Sequence, residues 1–575
     1  MLKLLRFLKV KEWIYTFIVC ILLGLQVYFD LTLPDYMGEI VGLIQQGKTV
    51  ADIWNVGIYM LLFTIGSIIC TILIGYFASI IATKLAERMR SAMFSKVNSF
   101  SMEEINNFST SSLITRSTND VHQVQMVVMI VLRMALSAPI MAIGAIFKII
   151  NKSSSLTITT VIAIVSLLVI MFVIYLVVVP KFAKLQTQTD TVNRLTRENL
   201  TGLKVIHSFA AESDQHEKFE KANDEYTKTD LFVSRITSIL QPSMNFIFNG
   251  LALSIVWLGA YLIAQGSLSL ADMTVFTQYS MQILRNFVLL SMLFVLIPRG
   301  KVSAKRINEV LNTETKIKAG TFTGNTKTHG KIEFKNVSFR YPDSEECVLN
   351  NISFTVNPGE TVAFIGSTGS GKSTLINLVP RFYDATSGDI FIDDINLRDY
   401  DAKTLNAKLG YVPQKSALFK GSVEENVKYG VPLASDTELD TSLEFSESKT
   451  FVDKLENKTK YELAQSGSNL SGGQRQRLSI ARAIIKSPEI FIFDDSFSAL
   501  DYATDQRLRG NLKKISKKST QLIVAQRVGT IMDADKIIVL DKGNLIACGT
   551  HAELLKTCEI YQEIAYSQLS KEELQ

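Results

Sequence analysis

Long apolar runs crowd the first 300 residues of the chain, and the remainder reads as a soluble domain of mixed composition. A bilayer core of about 30 Å needs about 20 helical residues at 1.5 Å each. Six stretches have that length, with approximate limits 13–33, 53–80, 125–150, 157–180, 240–264 and 273–298. The pattern therefore predicts six membrane-spanning helices. The first stretch is too long for a cleaved signal peptide, carries Asp30 and Pro34 near its end, and offers no small-residue cleavage site.

Lysine and arginine set the orientation. With the N-terminus inside, the cytoplasmic flanks 1–12, 81–124 and 181–239 hold eighteen of them, against Lys48, Lys148 and Lys152 in the outer turns. The N-terminus is expected in the cytoplasm of a multi-pass cell-membrane protein. The outer turns "QQGKTVAD", "NKSSS" and "QGSLSL" are short, whereas the inner excursions are long, polar and full of helix formers. These helices are expected to continue past the bilayer and present their hairpin tips to a soluble partner. A transmembrane domain over 1–311, a Gly/Thr/Lys-rich linker over 312–330 and a cytoplasmic domain over 331–575 follow. The fold class is a membrane all-α domain of six helices, then a cytoplasmic α/β P-loop nucleotide-binding domain.

Composition changes this picture little. The net charge of +5 over 575 residues makes no case for a nucleic-acid partner. The five cysteines (Cys20, Cys70, Cys347, Cys548, Cys558) and five histidines (His122, His207, His216, His329, His551) are dispersed, with no metal-ligand spacing.

The chemistry lies in the second half. "GSTGSGKST" comprises Gly366, Ser367, Thr368, Gly369, Ser370, Gly371, Lys372, Ser373 and Thr374, between strand-like "TVAFI" and helix-like "LINLVPRF". That is the context a phosphate-binding P-loop requires. Its glycines let backbone N–H groups wrap phosphates at a helix N-terminus. Lys372 is placed to reach the β/γ-phosphates of ATP and Ser373 to ligate Mg²⁺. Asp494 closes the apolar strand "IFIFD" and is placed to hold Mg²⁺ through water, and Gln414 in "YVPQKSALF" offers an uncharged partner for a metal-bound water. "NLSGGQRQRLSIARA" puts Ser471, Gly472, Gly473 and Gln474 at the start of a basic amphipathic helix, a second anion-binding N-terminus. One active site has no use for two such helix ends about a hundred residues apart; two cassettes facing each other do.

"LSGGQ" after a P-loop, with a strand ending in aspartate just beyond, resembles the nucleotide-binding domain of ATP-binding cassette (ABC) transporters. The likeness covers essentially the whole chain, in the half-transporter layout of the type IV exporters. It implies that Tyr341 in "FRYPD" stacks on adenine, that Asp501 in "SALD" belongs to the D-loop joining two sites, and that residue 526 is the switch position. It also implies that "SSLITRSTNDV" and "ENLTGLKVIHSFAAE" bear the two coupling helices.

Against that family pattern two residues depart. Asp495 stands where a glutamate usually polarises the attacking water, and Gln526 stands where the switch histidine belongs. A general base must come within about 2.6–3.2 Å of its proton, and a misplacement of about 1 Å costs on the order of a hundredfold. Glutamine neither becomes cationic nor shuttles a proton as imidazole does. ATP and Mg²⁺ binding are expected to survive, while hydrolysis here is not. The likeness is to the degenerate-site subunit of bacterial heterodimeric multidrug exporters, whose partner would be a second half-transporter. Gln465, Ser466 and Gly467 also replace the family's usual glutamate–arginine–glycine before the signature.

Polar residues within the spans are costly and therefore candidates for a path taken by a small amphipathic substrate. They are Arg285, Asn286, Gln278 and Gln282 in the sixth, and Asn245 and Asn249 in the fifth. Two rival readings are a lipid or peptide flippase and a nucleotide-sensing regulatory subunit that does not pump. The six spans exclude a soluble ABC protein of DNA repair.

Overall fold

The apolar runs fold into helices far longer than a bilayer requires. A computed structural model describes residues 2–150, 152–342, 344–515 and 519–569; Asn151 of the second outer turn and Asp343 of "FRYPD" lie outside them. Val10–Gln45, Val50–Asn98, Thr110–Ile150, Ser154–Ser208 and Glu212–Ala264 are long and apolar enough to cross a membrane. A sixth helix, Leu270–Asn312, has 43 residues. The 55 residues of Ser154–Ser208 extend about 80 Å at 1.5 Å each, so the expected continuation beyond the bilayer is present.

The first helix differs from expectation at its outer end, running through Pro34 to Gln45 instead of stopping near 33. Neighbouring helices in a bundle tolerate the hydrogen bond that proline removes. Here Gly38 lets the last helix approach: a Cβ there would lie 2.2 Å from Val275 Cγ2. Lys148 also pairs with Asp35 at 2.7 Å. In the bundle core Phe276, Tyr279 and Ile283 pack with Leu156, Leu167 and Ile255, and Thr160 and Ser280 share a buried hydrogen bond of 2.9 Å.

The chain forms two compact units, one of residues up to 98 with 111–313, the other of 99–110 with the residues from 314 onward. "SSLITRSTNDV" is not a separate coupling helix. It forms the start of the long third helix, including a π-helical turn at Arg116–Asp120. The short helix is Met102–Phe108, just upstream, and belongs to the second unit. Ser101 and Glu104 close a capping box that starts it, and Asn106 donates to the Tyr383 hydroxyl at 3.1 Å. In "ENLTGLKVIHSFAAE" one long helix ends at Ser208, and the next begins at Glu212 after a turn with Ala210 at φ 48°. No short helix intervenes among the described residues.

In the second unit a six-stranded sheet has the order 544–549, 536–541, 361–366, 520–524, 490–494, 409–412. It is parallel except for its first edge strand. Parallel strands buried on both faces read as continuous apolar runs, and all of Ile490–Asp494 is buried. The register sets Val524 beside both Asp494 and Phe364, so the P-loop and the two aspartates emerge at the same sheet end.

Candidate functional site

The P-loop leaves the strand Thr361–Gly366 and enters the helix Lys372–Asn377. Gly371 turns the chain at φ 98°, a conformation glycine takes without the Cβ penalty. Lys372 Nζ donates to the carbonyls of Gly366 and Ser367 at 2.9 and 2.7 Å, which closes the loop on itself. Burial pushes its ammonium below the usual lysine range, and Asp495 and Asp494 oppose that shift.

Ser373 Oγ donates to Asp494 Oδ1 at 2.7 Å. Burial pushes the Asp494 carboxyl above the usual range; the Ser373 hydrogen bond opposes this and the charge of Asp495 adds to it. A hydroxyl and a buried carboxylate beside a second carboxylate form a hard oxygen set suited to a divalent cation such as Mg²⁺.

Asp495 follows the strand with φ 47°, in the left-handed region that aspartate tolerates better than most residues. Two amides converge on one of its oxygens: Gln526 Nε2 donates to Oδ2 at 2.8 Å and Gln414 Nε2 at 3.2 Å. Burial raises its carboxyl, and the hydrogen bonds from Gln414, Ser498 and Gln526 hold it down. The carboxylate is thus anchored between glutamines.

Tyr341 joins the same site, its hydroxyl 3.1 Å from Thr374 Oγ1, with Phe339 and Tyr383 edge-on to its ring. The signature serine caps its helix: Ser471 Oγ accepts from Gln474 N, and Gln474 Oε1 accepts from Ser471 N at 2.9 Å. Among the described residues no hydrogen bond joins Ser471–Gln474 to Gly366–Thr374. The signature helix instead grips the Gln414 loop, with Gln476 Nε2 donating to Pro413 O and its Oε1 accepting from Ser416. Before it, Ser466 and Gly467 take left-handed φ of 57° and 62°.

Two features were not anticipated from sequence. Gln568, at the end of the last helix, donates to Gln526 O and accepts from Val528 N, both at 2.8 Å. It holds the switch loop on either side of Arg527, and nothing local in the sequence announces it. Gln568→Ala is expected to speed hydrogen exchange at the Val528 amide by about five- to tenfold, the worth of one hydrogen bond. Exchange mass spectrometry across the cassette checks this. The second feature is Arg133, which sits on a π-helical turn, Val131–Ala135, within the third span. Its guanidinium lies 3.9 Å from where a Cβ of Gly75 would be. A charge inside an apolar run was the available signal.

In the helical unit Gln278, Gln282 and Arg285 line one cavity. Asn286 is buried and donates to Gln282 O at 2.9 Å, while Asn245 and Asn249 are exposed and do not line that cavity.

A bundle of membrane-length helices joined to a P-loop cassette with a separate capped signature helix defines an ATP-binding membrane transporter. The description "ABC transporter transmembrane region" matches residues 16–287, and "ABC transporter" matches 349–498. The chain is 35% identical to an uncharacterized ABC transporter ATP-binding protein of Mycobacterium tuberculosis (strain CDC 1551 / Oshkosh), over 96% of each chain. It is 33% identical to an ATP-dependent lipid A-core flippase of Aromatoleum aromaticum, over 68% of this chain and 64% of that one. The structure of a bacterial Atm1-family ABC exporter with ATP bound superposes with a TM-score of 0.79 at 24% identity, over 96% of this chain and 97% of that one. The chain belongs to the ABC transporter family and has the type IV exporter fold in its half-transporter layout.

Proposed function

We propose that this chain is the degenerate-site subunit of a heterodimeric bacterial exporter that moves amphipathic compounds out through the cell membrane. The observation that carries the reading is the anchoring of Asp495 by the Gln414 and Gln526 amides. A carboxylate one methylene shorter than glutamate, held back by two donors, is poorly placed to take a proton from water. Lys372, Ser373 and Asp494 would still hold ATP and Mg²⁺ at this chain's P-loop, the cation supplying charge neutralisation for the phosphates. Ser471, Gly472 and Gly473 would serve the opposite nucleotide, bound on the partner's P-loop. The likeness to a lipid A-core flippase supports an amphiphile as the cargo class.

The test is ATP turnover of the purified chain, alone and with the second half-transporter. Alone, any dimer has only sites built on Asp495 and Gln526, so binding without brisk hydrolysis is expected. The pair is expected to be faster by about a hundredfold, the cost of a misplaced base. Equal, brisk rates per site would remove the degenerate-site reading. Stimulation of the pair by a transported compound separates a pump from a sensor that only binds nucleotide.

A further inference from the structure

Within the helical unit a cavity of about 430 Å³ lies among the first, second and last long helices, inside the range of small-molecule sites, about 300–1,000 Å³. Its polar lining is unusual for a membrane bundle. Asp30 comes from the first helix and Arg285 from the last. Gln278, Met281, Gln282 and Arg285 lie at positions i, i+3, i+4 and i+7, on one helix face. Met37 and Met60 complete the apolar wall with Met281.

The polar groups are not spent on one another. Asp30 and Arg285 share the cavity without an ion pair within 4.0 Å. Among the described residues Arg285 has neither a hydrogen bond nor a salt bridge. Asp30 accepts a hydrogen bond from Ser67. Gln282 turns its Nε2 to Met141 Sδ at 3.3 Å, and its Oε1 is enclosed with no hydrogen-bond partner among the described residues. Ionisable residues inside a membrane are expensive, and those that persist face a pathway or a partner. Two opposite charges in one cavity ask for a ligand carrying both signs.

We propose that this cavity binds zwitterionic amphiphiles, with Arg285 taking the anionic group, Asp30 the ammonium, and the methionines the apolar chain. A guanidinium presents a planar fork to phosphate or carboxylate. Flexible thioethers fit varied chains. A purely anionic amphiphile leaves Asp30 uncompensated, and a purely cationic one leaves Arg285 uncompensated, and each is disfavoured by that unpaired charge. The assignment rests on the reading that the chain carries amphipathic cargo, and it names that cargo's charge pattern.

The test measures binding without ATP, so that its failure is separable from a failure of export. The full chain in phosphatidylglycerol nanodiscs is labelled with a photoreactive short-acyl phosphatidylethanolamine, and crosslinks are mapped by mass spectrometry. Labelling is expected at Asp30–Met37 and Gln278–Arg285. Unlabelled lysophosphatidylethanolamine and lysophosphatidylcholine, both zwitterionic, are each expected to compete about tenfold better than lysophosphatidylglycerol, which lacks the ammonium. Arg285→Ala and Asp30→Asn are each expected to lower labelling by about tenfold or more. The wild-type competition order needs no variant to fold. Equal competition by all three lysolipids would overturn the proposal, as would labelling spread over outward helix faces and unchanged in both variants. Competition by ethanolamine phosphate as strong as by the lysolipid would overturn the amphiphile.

Discussion

Replacing Gly473 by glutamate in the paired transporter is expected to collapse ATP turnover by about a hundredfold or more, the scale of losing preorganised donors at a developing charge. Asp495→Asn in the same complex is expected to leave turnover within about threefold, because on the degenerate-site proposal it alters a base that is already out of reach. The asymmetry follows from what each residue touches. Gly473 sits in the first turn of the capped signature helix, where backbone N–H groups face an anion. On the proposed pairing, a carboxylate there would oppose a γ-phosphate bound on the partner's P-loop. A Cβ at 473 would also lie 3.1 Å from Ala499 O in the "SALD" segment, so the D-loop must yield as well. Asp495 by contrast is occupied with Gln414 and Gln526. The measurement is ATPase and dye efflux for both variants in the complex. If Asp495→Asn abolishes hydrolysis while Gly473→Glu spares it, the two sites are assigned the wrong way round.

Restoring both departures together is the second large effect. Asp495→Glu with Gln526→His, in the chain purified alone, is expected to raise turnover by about tenfold or more, the low end of what general acid–base catalysis contributes beyond restored reach. Asp495→Glu by itself is expected to give at most part of that gain. The longer carboxylate remains hydrogen-bonded by two amides that neither carry nor relay a proton, and the left-handed backbone at 495 suits aspartate better than glutamate. Steady-state ATPase of the three proteins, with MgATP binding measured alongside, separates a repaired base from altered nucleotide affinity. A silent double variant with intact binding would place the defect elsewhere.

Much of the architecture was legible because it rests on local pattern. Twenty apolar residues must be helical in lipid whatever surrounds them, since no water is there to satisfy the backbone. A GxxxxGKS between strand and helix needs little more than its own eight residues to build a phosphate cradle, and Lys372 closes that loop through carbonyls within six positions. The signature cap is equally local, with Ser471 and Gln474 three residues apart. The short helix before the third span was not legible for the complementary reason. Ser111–Val121 and Met102–Phe108 are both helix formers of similar polarity, and what separates them is packing: Glu104 accepts from the Lys316 amide at 3.1 Å and Asn106 reaches Tyr383. Burial raises the Glu104 carboxyl, but hydrogen bonds from Ser101 and Lys316 outweigh it and hold the group below the usual range.

Sequence by itself determined that the chain is a helical membrane domain followed by an ATP-binding cassette. These are properties of composition, period and spacing, each decided within a few turns of chain. Only the tertiary structure decided which side chains meet Asp495 and Gln526, the two departures from the family pattern. Gln414 and Gln526 meet Asp495 from 81 and 31 positions away, and Gln568 reaches the switch loop across 42 and 40. Asp30 and Arg285 face one cavity from opposite ends of the membrane domain's sequence. Such meetings depend on how sheet register and helix packing fold distant segments onto one another, which no local period encodes.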